Sequence, residues 1–222
     1  MEVILKLVVW LAIWFLVWLT YYFLSNKKMN YVKQYPLTAG FFFLVSFALV
    51  TVFSKDLYFL IKPGFQILPF LFLILLFIFN AVAYRYIGSV FPQYKKAFEL
   101  DGTLYFAKFD NKYLFSKSFE ILYQQIMIAL LVIWLISSGF SFIIAVLIFA
   151  IFFGLGHVLL FFYYKKSVSL FFLVASIISS FVFPFLILKV EWGIIYSYIF
   201  HWIFYIFAGF IFIRSTGNKK FV

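Results

Sequence analysis

Few residues in this chain can do chemistry, and they fall in a narrow set of places. Glu120, Gln124 and Gln125 open an apolar run that continues to about Phe140, and the only two histidines, His157 and His201, both lie inside other apolar runs. Glu120 and Gln124 are four apart, so on a helix they share a face, with Gln125 roughly 100° further round from Gln124. A carboxylate and two amides thus form one polar edge on a hydrophobic helix. No water satisfies such groups inside a bilayer, so they must face protein, a ligand or a wet cavity. A carboxylate and a neutral imidazole can share a water: the carboxylate removes its proton, while a second imidazole or an amide stabilises the oxyanion formed at a peptide carbonyl. That is glutamate-dependent hydrolysis. Two His and a Glu also suit zinc, but there is no H-E-x-x-H and the ligands would come singly from three helices. The chain has no cysteine and no serine-nucleophile motif, and Gly154-Leu155-Gly156 sits in a hydrophobic helix with no lysine partner, unlike a phosphate loop. The expectation is a site with neither metal nor cofactor.

The elements that must carry these residues follow from composition. At 222 residues, 67% hydrophobic and 11% charged, with a mean hydropathy of +1.12, the chain is too apolar for a soluble domain of its size. It reads as an all-α, polytopic integral membrane protein with about seven transmembrane helices, a single membrane domain over 1–222. The spans lie at about 3–24, 37–53, 65–84, 118–138, 140–164, 167–188 and 192–213. The first has about twenty apolar residues, no small-x-small cleavage site and an aromatic end, and so reads as a retained span rather than a signal peptide. A polar connection occupies 85–117, and its stretch from Tyr94 to Leu100 has the pattern of an interfacial amphipathic helix. Ser137-Ser138-Gly139 turns the fourth span directly into the fifth, and Pro184 is expected to kink or end the sixth. Glu191 and Trp192 open the last span as interfacial anchors.

The net charge of +11 could suggest nucleic acid, but the basic residues sit in short connections between apolar runs, as membrane orientation requires. The connections after the first, third, fifth and seventh spans carry 14 of the 18 Lys and Arg, and the other side, with Lys6, carries 4. The positive-inside rule makes the first set cytoplasmic, so the expected location is the plasma (inner) membrane, multi-pass, N-terminus outside and C-terminus cytoplasmic. At about 1.5 Å rise per residue, His157 lies roughly 12 Å from Lys165 and Lys166, and Gln124 roughly 10 Å from Lys117. The two should therefore be level, with Glu120 one turn nearer the cytoplasm and His201 somewhat deeper. Four polar residues from three helices then share a band about 15 Å deep in the cytoplasmic half.

In order and approximate spacing these residues resemble the motifs of the CAAX-protease and bacteriocin-processing family of intramembrane glutamic proteases: E-E-x-x-x-R, F-x-x-x-H and H-x-x-x-N on successive helices. Phe153-Gly154-Leu155-Gly156-His157 fits the second motif fully. His201-Trp202-Ile203-Phe204-Tyr205 fits the third with Tyr205 in place of Asn, and Gln124-Gln125-Ile126-Met127-Ile128-Ala129 meets the first with amides for both glutamates and Ala129 for the arginine. The resemblance covers about residues 90 to 215. It implies an intramembrane, metal-independent glutamic endopeptidase. Its catalytic set would be Glu120, Gln124, Gln125, His157 and His201, with Phe153 and Tyr205 lining the substrate. Its partners would be membrane lipids and a membrane-anchored or lipid-modified peptide or protein, and no nucleic acid.

Glutamine cannot act as a general base, and that leaves three readings. Glu120, one turn earlier, takes the catalytic role while Gln124 and Gln125 orient water or the substrate backbone. Alternatively, the chain is an inactive pseudoprotease that binds membrane helices as a partner or chaperone. Or the two glutamines are introduced replacements for glutamates. Beside these stand plainer roles: Glu120 as an interfacial carboxylate beside a basic connection, and Gln124 and Gln125 as interhelical hydrogen-bonding groups. A transporter would spread polar residues along a whole path and break its helices, unlike this clustering.

Overall fold

A computed structural model describes residues 2–26, 31, 33–58, 78, 82, 111–158, 161 and 166–217. Among them there are seven α-helices: α1 (Glu2–Asn26), α2 (Tyr35–Val52), α3 (Ser54–Tyr58), α4 (Asn111–Ser137), α5 (Phe142–Val158), α6 (Lys166–Lys189) and α7 (Gly193–Gly217). Four contain stretches long and apolar enough to cross a membrane: Val3–Ser25, Tyr35–Val52, Asn111–Ser137 and Ser169–Lys189. The apolar helices Phe142–Val158 and Gly193–Ala208 are shorter. The chain is therefore an all-α, multi-pass membrane protein by its apolar helices. The expected span at 65–84, all but residues 78 and 82, and the expected amphipathic stretch at 94–100 lie outside the described residues.

Local sequence explains most helix ends. Gln34 starts α2, its carbonyl accepting from the amides of Leu37 and Thr38 at 3.1 Å each, and Pro36 sits in the first turn, where a missing N–H costs nothing. Helix α4 stops at a Schellman motif: the Phe140 amide reaches the Leu135 carbonyl at 3.3 Å and the Gly139 amide that of Ile136 at 3.0 Å. Gly139 takes φ +88° there, as glycine does most readily. Ser141 then caps α5 through its Oγ and the Ile144 amide, 3.4 Å. Pro184 lies inside α6, which runs on to Lys189, so it does not end the helix. Helix α4 also begins at Asn111, seven residues earlier than the expected fourth span, so Lys112 and Lys117 are helical rather than part of a connection.

The chain forms two compact units, Met1–Tyr21 with Phe47–Pro63 and Gln124–Ser197, and Tyr22–Ser46 with Gly64–Tyr123 and Tyr198–Val222. In the first unit the core is the middle of α4. Met127 to Val132 are all fully buried, on every side of the helix, as for a helix surrounded by others. Trp10 of α1 donates its indole N–H to the Met127 carbonyl at 2.7 Å, stacks on Trp14 at 5.2 Å and meets Phe152 edge-on. Helix α5 packs on α6, with Phe153 edge-to-face against Phe183. In the second unit α2 lies against α4 through Phe42 on Tyr123 and Phe43 on Phe119. Exposed Ile4, Leu5, Val8, Phe15, Leu16, Leu19 and Phe23 of α1 form the kind of apolar face that acyl chains cover.

Candidate functional site

The second unit holds a polar cluster built on the first turns of α4. Glu120 is only 1% exposed and Lys117 7%, and the two are three apart, so the helix itself brings them side by side. Lys117 Nζ donates to Glu120 Oε1 at 2.7 Å. The other carboxylate oxygen, Oε2, accepts from the Tyr31 hydroxyl, which comes from the connection between α1 and α2. That connection is tied down again at Ser116, whose Oγ lies 3.2 Å from the Tyr31 carbonyl and 3.0 Å from that of Tyr35.

The cluster continues onto α7. The Lys117 ammonium sits 4.2 Å from the centre of the Tyr205 ring, and 5.7 Å from that of Tyr31, both within cation–π range. Tyr205 stacks in turn on the buried imidazole of His201, centroids 5.4 Å apart and planes 18° off parallel. On the same helix face the Tyr198 hydroxyl donates to the Ser118 carbonyl at 3.1 Å and accepts from the Trp202 indole at 3.1 Å. Helices α4 and α7 are thus joined within this unit by hydrogen bonds as well as by ring faces.

Of the residues expected from sequence, Glu120, His201 and Tyr205 fall in the second unit and are brought together through Lys117. Gln124, Gln125, Phe153 and His157 fall in the first unit. There Gln125 Oε1 accepts from the Ser197 hydroxyl, a hydrogen bond between α4 and α7. Gln124 is buried as well. His157 Nδ1 lies 2.8 Å from the Phe153 carbonyl. A carbonyl only accepts, so Nδ1 carries the proton and, in a neutral ring, Nε2 bears the lone pair. Phe153 stacks on Phe149 at 5.2 Å and lies edge-on to His157 at 4.8 Å, so it orients that imidazole as well as filling the core.

Sequence reasoning misses three contributors. Lys117 reads as one more basic residue of a connection, although its spacing from Glu120 is the signal that could have found it. Tyr31 and Ser197 carry no such signal, because each meets its partner across more than seventy residues.

As a general base Glu120 would take a proton from water by exchanging one of its partners. An imidazole N–H suits a developing oxyanion, and His201 is buried in the same cluster. Among the described residues, no group of three or more His, Asp or Glu side chains could hold a metal ion. Compared with protein-family models, with curated proteins and with solved structures, the chain matches none.

Proposed function

We propose that the chain is an intramembrane glutamic-type endopeptidase, hydrolysing a peptide bond of a membrane-anchored or lipid-modified substrate without a metal. The observation that carries this reading is the buried Glu120 carboxylate, linked through Lys117 and Tyr205 to the His201 imidazole. An ionisable side chain buried in an apolar helix is costly enough that such residues usually mark function. In this reading Glu120 is the general base and His201 supports the oxyanion. The family resemblance further implies supporting roles for Gln124 and Gln125, a substrate-lining role for Phe153 and Tyr205, and a water-positioning role for His157.

The reading further includes seven spans in the inner membrane, an outside N-terminus, a cytoplasmic C-terminus and a cavity open to the cytoplasm.

A second reading has its own support. Both Glu120 oxygens already accept hydrogen bonds, and Gln125 joins two helices, which suits a non-catalytic helix-binding partner. Proteoliposomes holding the full chain, given prenylated and unmodified tail peptides, separate the two. Cleavage by the wild type that falls at least a hundredfold in Glu120→Gln and in His157→Ala supports the peptidase. Cleavage that both variants retain rejects this site, and peptide binding with no cleavage favours the partner.

A further inference from the structure

Glu120 does not stand alone in its helix, and what holds it gives two residues a role that the motif resemblance does not assign. A buried carboxylate stays ionised only beside a compensating cation with good hydrogen bonds. Lys117 supplies both at 2.7 Å, yet a lysine side chain has four rotatable bonds and does not by itself hold one geometry. The ring of Tyr205 restricts it: the ammonium lies 4.2 Å from the ring centre, and the ring is fixed from its own helix by stacking on His201 four residues earlier. Imidazole, phenol ring, ammonium and carboxylate therefore form one continuous series from α7 to α4.

We propose that Lys117 and Tyr205 are positioning residues that bind the Glu120 carboxylate and the His201 imidazole into a single device, Lys117 keeping Glu120 ionised and Tyr205 fixing Lys117 against it. The catalytic consequence rests on the peptidase reading; the electrostatic one does not. For Tyr205 the device uses the ring face rather than the hydroxyl, so phenylalanine should serve and an aliphatic side chain should not. For Lys117 it uses the charge, so arginine should serve and methionine, of similar length, should not.

The test uses the purified full chain in lipid nanodiscs. Infrared difference spectra against Glu120→Gln isolate the signal of this one side chain. In the wild type and in Lys117→Arg it is expected as a carboxylate band, and in Lys117→Met as the carbonyl band of the protonated acid. Cleavage of the tail peptides is expected to fall at least tenfold in kcat for Lys117→Met and Tyr205→Leu, with KM little changed in Lys117→Met, and to be largely restored in Lys117→Arg and Tyr205→Phe. A carboxylate band that persists in Lys117→Met, or a Tyr205→Leu variant that cleaves like the wild type, overturns the proposal. If Lys117→Met does not fold, the Tyr205→Leu and Tyr205→Phe pair decides. If the wild type cleaves nothing, the peptidase reading fails by itself, and the infrared bands still decide whether Lys117 holds the charge.

Discussion

At the scale of single residues, the buried ion pair dominates. Without Lys117, Glu120 must either keep an uncompensated buried charge or take up a proton, and protonation limits the loss, so Lys117→Met should lower stability by up to about 3–5 kcal/mol. Glu120→Gln combined with Lys117→Met should cost less than the sum of the single changes, because neither partner is then left without the other. Thermal unfolding of the four proteins of that cycle in one detergent measures the coupling, and strict additivity would show that the pair contributes nothing as a pair. The Gln125–Ser197 bond is a smaller matter. Hydrogen bonds between membrane helices average about 0.6 kcal/mol and reach about 1.7, so Ser197→Ala should shift the same transition only slightly. A large loss there would mean that Ser197 has a further role.

At the scale of elements, the two glycine turns are informative because they need glycine for different reasons. Gly139 has no atom within 4 Å of the place a Cβ would take, but its φ is +88°. Gly139→Ala should therefore cost only the left-handed penalty, about 1–2 kcal/mol. Gly193 starts α7 against the end of α6, and a Cβ there would fall 1.7 Å from the Leu186 carbonyl oxygen and 3.0 Å from the Ile187 Cα. That is backbone and cannot rotate away, so Gly193→Ala should cost about 3 kcal/mol or more. Unfolding of the two variants side by side checks the order, and an equal loss would mean that the α6–α7 turn shifts freely. The same turn holds Trp192 at φ +62°, a strained backbone for a bulky side chain. With Gly193 wedged against α6, little room remains to relax it.

At the scale of the whole molecule, the apolar helices require a membrane, and the distribution of charge predicts which way they cross it. The reassignment of Lys112 and Lys117 to α4 leaves the asymmetry of Lys and Arg standing. Because the chain contains no cysteine, single introduced cysteines report sidedness without background. Lys219→Cys should react with a membrane-impermeant maleimide only after cells are opened, whereas a cysteine placed before the first span, at Glu2, should react on intact cells. The reverse pattern would invert the orientation, and labelling of both from the same side would require an even number of spans.

Much of the scaffold was legible in the sequence. Leaving aside 65–84, which lies outside the described residues, the length and polarity of the apolar runs mark the helices, since backbone groups in lipid must be satisfied within the segment. The serine–glycine pair at 138–139 marks the turn after α4, since a left-handed residue is easiest to build from glycine. Spacing alone puts Lys117 beside Glu120, because three residues bring side chains to one face. The company these residues keep is a matter of packing. Tyr31 reaches Glu120 and Tyr205 covers Lys117 across more than eighty residues of chain, and no periodicity records such a meeting. Local spacing fixes direction along a helix, but which neighbour fills that direction depends on how separate helices pack.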